Sequence, residues 1–436
     1  MADESTSSGE GISGAGSVGR VLVAGASGLI GRAALEVFAA SPDWEVTGLS
    51  RRAPGLAGIS HLSVDLLDRE ACRRALGAPR AQPAFSHLVY CALQERPGLV
   101  GGWRDRELME TNRRMLENLL DALETGKAPG GAGRSAGSGA SGVLEHVSLL
   151  QGAKAYGAHL HPIRVPGRER EARDDHESFY WLQEDLLRSR AARAGFHFTI
   201  WRPPVVFGHA LGSPMNPLAA VAAFASLMKA EGQPLRWPGG RTAPQDGVDA
   251  RLLARALLWA TRSPAARDET FNVSNGDVFL WENLWPAVAR AMDMELGEPE
   301  PCRLAAFLPD RVERWASLVE AERLQAPDLL EWVDESGLYA DLLLNTGRDE
   351  PPPPSLLSTV KLRQAGFQDC IDTEDMLVEW LERLQSERFI PGPHAPGRPA
   401  TPDPDGAGGR RGAREALGQR SATRDERPGG RAGESR

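Results

Sequence analysis

VLVAGASGLIGR, residues 21–32, decides the fold. Glycines at 25, 28 and 31 give the spacing G-x-x-G-x-x-G, after a short Val-rich run and ahead of a helical pattern. Gly25 suits the tight turn that leaves a strand. Gly28 lets the backbone approach a pyrophosphate, and Gly31 lets the helix pack close to the sheet. Ser27 adds a hydroxyl to the same loop, and Leu29 and Ile30 lead into the helix. Such spacing alone can be a structural turn. Its place in the first strand–helix unit points to dinucleotide binding.

Working outward, residues 19–25, 44–50, 61–65, 86–92, 142–150 and 196–203 read as short apolar strands, and residues 29–40 as a helix. Strands of this kind alternating with helical patterns imply a parallel sheet covered on both faces. The fold class expected is therefore α/β, a doubly wound, Rossmann-like parallel sheet. Residues 215–232 and 281–344 are mostly helical and rich in Trp and Leu. They suggest a smaller, mostly helical substrate lobe. The expected division is a nucleotide-binding domain over 19–212 and a substrate lobe over 213–390, interleaved with returns to the first domain. Residues 1–18, 125–142 and 391–436 are dominated by Gly, Ser, Pro and Arg, and are expected to be disordered. The PPPP at 351–354 reads as a stiff connector.

Hydrophobic residues make up 41% of the 436, enough for a sizeable core. The net charge of -9 opposes nucleic-acid binding, which needs a basic face. Four cysteines lie far apart, without metal-ligand or disulfide-framework spacing. No metal is expected, and the setting reads as reducing. No apolar leader and no run of eighteen apolar residues occurs, so no membrane partner is expected and the chain is placed in the cytoplasm. A monomer or weak homodimer is the expected assembly.

At the end of the second strand an NAD-specific site carries an acid for the ribose hydroxyls. This chain instead reads LSRR, with Arg51 and Arg52. Two guanidiniums there suit a ribose 2′-phosphate, so the expected cofactor is NADPH. Two solvated surface arginines are the alternative. Asp65 and Leu66 end the third strand, where they can meet an adenine, although Asp is also a common turn residue.

The chain has four tyrosines. Tyr90, Tyr156, Tyr180 and Tyr339 are followed four residues later by Gln94, Leu160, Glu184 and Leu343. No Y-x-x-x-K occurs, although ordinary short-chain dehydrogenases use that lysine to lower the tyrosine pKa and hold the nicotinamide ribose. One lysine, Lys154, stands just past the strand at 142–150. Loops at the carboxyl ends of strands border the crevice of a doubly wound sheet, so Lys154 lies in the right layer to reach a tyrosine on the next helix. A surface lysine is the competing reading, as a core aromatic is for Tyr180 between Phe179 and Trp181.

FYWLQED (179–185) resembles the N-F-Y-Y-x-x-E-D motif of the progesterone 5β-reductase and iridoid synthase-like enone reductases, atypical extended short-chain dehydrogenases. LLQGAKAYG (149–157) is similar to their L-Q-T-G-x-K-x-Y segment. RPPVVFG (202–208) with SPMN (213–216) is similar to R-P-x-x-I-F-G followed by S-x-M-N, and FNVSNGDVFLWENLW (271–285) to F-N-x-S-N-G-D-V-F-x-W. The resemblance runs from about residue 19 to 391, interrupted at 125–142. It implies that Tyr180 is the catalytic tyrosine and Lys154 its relocated partner. Ser27, Gly28 and Leu29 would meet the pyrophosphate, Arg51 and Arg52 the 2′-phosphate, and Asp65 and Leu66 the adenine. Val206, Ser213 and Met215 would line the nicotinamide end. Leu93 stands where plant members carry Trp, Val205 where Asn is frequent, and Gly157 where a bulkier residue lines the pocket. With Asn216 and Tyr339 these positions are expected to shape the substrate cavity, so neither a steroid nor an iridoid precursor is assumed.

The implied reaction is NADPH-dependent reduction of the C=C bond of a small-molecule enone, with Tyr180 and Lys154 stabilising the enolate. The rivals are a carbonyl reductase or epimerase on the same scaffold, and a non-catalytic NADPH-binding protein. Gly276 and Asp277 are expected to form a turn between lobes.

Overall fold

The computed structural model of the protein describes residues 18–77, 84–125 and 144–393. The expectations for 1–18, 125–142 and 391–436 lie, but for their edges, outside those residues.

The first half alternates strand and helix: β1 (Gly19–Ala24), α1 (Leu29–Ala39), β2 (Trp44–Ser50), β3 (Ser60–Ser63), α2 (Arg69–Leu76), β4 (His87–Tyr90), α3 (Arg106–Thr125), β5 (His146–Leu150), α4 (Phe179–Ala194) and β6 (His197–Arg202). After β7 (Val205–Phe207), α5 (Pro217–Ala230), β8 (Gly247–Asp249) and α6 (Ala250–Arg262), the chain returns to the main sheet as β9 (Glu269–Asn272). The remainder is helical: α7 (Trp281–Ala291), α8 (Leu304–Phe307), α9 (Val312–Glu322), α10 (Leu329–Val333), α11 (Ser336–Leu343), α12 (Val360–Gln364) and α13 (Thr373–Ser386).

Seven strands form one parallel sheet in the order β3-β2-β1-β4-β5-β6-β9. The α/β doubly wound class expected from sequence is the one observed. Side chains of β1 alternate between faces, as a pleated strand requires. Val21 and Val23 enter the core under α1 and α6, while Leu22 and Ala24 enter the core under α2, α3 and α4. A third core, with Phe224, Trp281, Trp285, Trp315 and Trp332, joins the helices of the second half. That core is the mostly helical lobe.

The strand order reverses between β1 and β4, and a crevice opens there at the carboxyl ends of the strands. β7 and β8 pair separately, parallel to each other. The expected turn at 276–277 ties these parts together. Asn275 accepts from the backbone N of Asp249 at 2.7 Å and donates to Thr373 Oγ1 at 3.1 Å. Asp277 accepts from the backbone N and the hydroxyl of Thr373 at 2.9 and 2.7 Å.

Candidate active site

One cleft of about 1120 Å³ runs along the carboxyl ends of the strands. At one end lies the glycine loop. Gly25 has a φ of +83°, which strains any L side chain, and a Cβ there would stand 2.6 Å from the backbone N of Ala92. A Cβ on Gly31 would stand 2.1 Å from the carbonyl O of Gly25, so the helix can approach the loop only with glycine there. Gly28 is the N-cap of α1 and supplies no capping side chain, which leaves the first-turn N–H groups to a ligand. Ser27, Gly28, Leu29, Ile30 and Gly31 all line the cleft.

Arg51 and Arg52 follow β2 and are exposed at the cleft. The Ser50 hydroxyl donates to the carbonyl of Arg52 at 2.6 Å, and the Ser63 hydroxyl to that of Arg51 at 3.0 Å. Arg52 donates to the carbonyl of Leu211 at 2.9 Å. Asp65 lines the cleft and accepts from the backbone N of Leu67 at 2.9 Å, so it also performs the turn role. Leu66 lies beside it. Loop, free helix N-terminus and arginine pair in one cleft fit a nicotinamide dinucleotide.

Tyr180 occupies the first turn of α4. Ser178 is the N-cap, and its hydroxyl accepts from the Tyr180 backbone N at 3.2 Å. Tyr180 and Phe179 line the cleft, while Trp181 is absent from its lining and has Arg173 and Arg202 against its ring. A Cβ on Gly152 would stand 3.1 Å from the Tyr180 hydroxyl, so the hydroxyl reaches the loop after β5. Burial pushes the Tyr180 hydroxyl well above the ordinary phenol range, with Glu95 and Tyr339 adding to the rise.

Lys154 sits in the 3₁₀ turn Ala153–Tyr156 that follows β5. Its Nζ lies 3.6 Å from the centroid of the Trp103 ring and 3.9 Å from Met215 Sδ. Burial pulls its pKa down to about 8, against the pull of Glu95. No hydrogen bond joins Lys154 to Tyr180 among the described residues; the two side chains share the cleft rather than a contact.

Glu184 does not face the cleft. Its carboxylate accepts from Gln151 Nε2 at 3.0 Å and pairs with Arg173 at 3.0 Å and Arg188 at 2.9 Å. Burial opposes its ionisation, but these partners win and hold the carboxyl below its usual range. Gln151 in turn accepts from Arg202 Nε at 2.9 Å. Glu184 is thus a strut between α4 and the ends of β5 and β6.

Of the residues expected at the nicotinamide and substrate end, Val206, Ser213, Met215, Leu93, Val205 and Tyr339 line the cleft. Burial pushes the Tyr339 hydroxyl up to about 12. Two expectations are corrected. Gly157 is outside the lining; it ends the 3₁₀ turn with a φ of +75°, and a Cβ there would strike His161 at 2.6 Å. Asn216 is also outside; it is the N-cap of α5, accepting from the backbone N of Ala219 at 3.4 Å. The proline stretch is more than a connector, because Pro352, Pro353 and Pro354 form part of the wall. Sequence reading also missed Glu95, Trp103, His159 and Asp246 in the lining. Glu95, His159 and Asp246 stand outside helices and strands and Trp103 in the 3₁₀ turn Gly102–Arg104, where no periodicity marks a side chain's direction. Burial raises Asp246 to about 6 and lowers His159 to about 4, the latter with help from the Lys154 charge.

The model of the NAD dependent epimerase/dehydratase family matches residues 21–274. The chain belongs to that family. Among relatives of this member of the NAD dependent epimerase/dehydratase family is an (S)-8-oxocitronellyl enol synthase of Antirrhinum majus. It is 28% identical over 390 residues, which cover 85% of this chain and 92% of the relative. A 3-oxo-Delta(4,5)-steroid 5-beta-reductase of Arabidopsis thaliana is 26% identical over 392 residues, with 85% and 92% covered. The resemblance to the progesterone 5β-reductase and iridoid synthase-like enzymes therefore holds over most of the chain. Among solved structures, UDP-glucose 4-epimerase of Thermus thermophilus in complex with NAD superposes with a TM-score of 0.53 at 20% identity, covering 84% of this chain and 99% of the epimerase. UDP-glucose 4-epimerase of Thermotoga maritima with UDP-glucose gives 0.56 at 16% identity, covering 84% and 99%. These show the fold. No helix among the described residues is long and apolar enough to cross a membrane.

Within this NAD dependent epimerase/dehydratase family member, one cleft is lined by the Tyr180 phenol, the part-buried Lys154 amine and the glycine loop. Two donors of that kind suit an oxygen on which negative charge develops.

Proposed function

We propose that the chain is an NADPH-dependent reductase of the C=C bond in α,β-unsaturated carbonyl compounds. The observation that carries this reading is the meeting of Tyr180 and Lys154 in one cleft while Glu184, at the position of the usual lysine, is turned into a cluster of arginines. A nicotinamide dinucleotide held by the glycine loop and the arginine pair would supply the hydride that the β-carbon takes up. The carbonyl oxygen of the substrate, placed at Tyr180, accepts from its hydroxyl as the enolate forms. Lys154 lowers the energy of the same charge from the neighbouring wall. Tyr180 need not give up its proton, so a phenol kept neutral by burial is suited to the role, and no lysine four residues on is required. The α-carbon takes its proton from water. Val205, Leu93 and Tyr339 give the substrate end its apolar walls.

Arg51 and Arg52 at the end of β2, with no acid in their place, support NADPH over NADH. A net charge of -9 opposes self-association and supports a monomer or weak homodimer. Four free cysteines support a reducing, cytoplasmic setting.

The test is oxidation of NADPH and of NADH with 2-cyclohexen-1-one and with progesterone, products being identified by mass. The expected product is the saturated ketone, with NADPH strongly preferred. Tyr180→Phe and Lys154→Ala should each lose about 10²–10³-fold in kcat, the effect of deleting one oxyanion donor. An alcohol product, or variants as active as the parent chain, would sink the reading.

A further inference from the structure

Among the walls of the cleft stands one buried acid, Asp246, which lines the cleft and is 4% exposed. It precedes β8, whose first residue, Gly247, pairs with Val205 of β7 in the same wall. Gln245 before it is fixed twice. Its backbone N donates to the carbonyl of Phe279 at 2.9 Å, and its Nε2 donates to the carbonyl of Leu343 on α11 at 2.9 Å. Asp246 itself holds the segment after the prolines, because its Oδ2 accepts from the backbone N of Leu357 at 2.9 Å. Gly167 grips that segment from its other edge. Its N donates to the carbonyl of Leu356 at 2.8 Å, and its carbonyl accepts from the backbone N of Ser358 at 2.9 Å. The carboxylate is therefore tied to β7, to α11 and to the proline wall.

The bond to Leu357 uses little of what the group can accept, since a carboxylate has two oxygens and about four acceptor sites. Among the described residues no cation stands at ion-pair distance from Asp246, and no other residue donates to it. Burial of an unpaired carboxylate is costly. Here burial pushes the group up to about 6, with the Asp277 charge adding to the rise and the Leu357 N–H opposing it, so Asp246 is still an anion in mildly alkaline buffer. An amide would serve Leu357 as well and carry no such cost. Ser355, two residues before Leu357, also lines the cleft, and its buried hydroxyl has no hydrogen-bond partner among the described residues. The proline wall is thus not purely apolar.

We propose that Asp246 is a specificity-determining residue that accepts a hydrogen bond from a hydroxyl carried by the enone away from its carbonyl group. This role rests on the enone reading given above. Tyr180 and Lys154 are donors and serve the carbonyl oxygen. Asp246 is an acceptor and suits a different part of the substrate. A carbonyl or ether oxygen would face the carboxylate with no proton between them, whereas a hydroxyl supplies one. The substrate class is a hydroxylated enone.

The probes are (E)-3-alken-2-ones of graded length that end in a hydroxyl or, as matched controls, in a methyl ether. Their binding to the full chain saturated with NADP⁺, which has no hydride to give, is measured by calorimetry in mildly alkaline buffer. At the length that reaches from Tyr180 to Asp246, the hydroxyl probe should bind about 10- to 100-fold tighter than its ether, the size of a hydrogen bond to a charged group. Asp246→Asn keeps an oxygen for Leu357 and turns an N–H toward the cleft, so the preference should vanish. A variant that is merely loosened would weaken both probes alike. If Asp246→Asn does not fold, Asp246→Glu takes its place, and the preference should pass to a shorter probe. No hydroxyl preference at any length, a preference that neither substitution changes, or a loss of affinity for NADP⁺ in its stead overturns the role of Asp246. Turnover with NADPH is read separately. A hydroxyl preference in a chain that reduces none of the probes leaves Asp246 in its role and overturns the enone reading, and reduction of all the probes without preference does the reverse.

Discussion

Tyr180 and Glu184 stand four residues apart and do opposite work. Tyr180 points into the cleft from the first turn of α4, where Ser178 fixes the start of the helix. Glu184 is held by Gln151, Arg173 and Arg188 and is almost wholly buried. The position that carries lysine in the ordinary enzymes is here a structural carboxylate. Substituting the usual residue should therefore not restore an ordinary dehydrogenase. Glu184→Lys places a cation against the guanidiniums of Arg173, Arg188 and Arg202, and leaves Gln151 without its partner. Loss of a buried ion pair costs about 3–5 kcal/mol. Urea unfolding should show a loss of that size, and an unchanged midpoint would mean that Glu184 does not anchor α4.

At the scale of elements, the glycine loop, the strand alternation and the arginine pair were legible because each leaves a local mark: glycine spacing, Val-rich runs, and charge at a strand end. β1, β2 and α1 lie within a residue of their expected bounds. β8 and β9 were not foreseen. Gly157 and Asn216 were carried to the pocket by resemblance alone. Gly157 serves a left-handed turn and Asn216 a helix cap, local needs that outweigh a place in a motif. Glu95 and Trp103 escaped notice because the stretch between β4 and α3 that carries them has no strand or α-helical period to read. The side chain of Asn112 on that helix makes three hydrogen bonds: it accepts from the backbone N of Gln94, and donates to the carbonyls of Gln94 and Leu108. Asn112→Ala leaves these backbone groups unpaired in a buried place and should cost about 1–3 kcal/mol. Unchanged stability in thermal unfolding would show that the clamp is not needed.

Over the whole molecule, the parallel sheet and the helical lobe have separate apolar cores, and the cleft is lined from both. The sheet side lines the cleft through the loops after β1, β2 and β3, through Lys154 after β5 and through Tyr180 on α4. The lobe supplies Tyr339 from α11, and the proline stretch closes the same wall. This division explains why the fold shared with UDP-glucose 4-epimerases does not fix the reaction. The fold is common to them, while this chain has Glu184, not lysine, four residues after Tyr180. It also explains what the motifs could not say about substrate. They mark Tyr180 and Lys154, whereas the walls beside them are lined by Leu93, Val205, Tyr339 and residues 352–354, which come from separate segments of the chain.

The central claim, hydride delivery to a carbon–carbon bond, is tested most directly by following the hydride. The chain is given NADPH carrying deuterium at the transferable C4 position, with 2-cyclohexen-1-one, and the product is examined by NMR and mass. Deuterium at C3 of cyclohexanone, the former β-carbon, is the result expected. Deuterium on the carbinol carbon of 2-cyclohexen-1-ol would contradict it, and would make the protein a carbonyl reductase built on the same cleft.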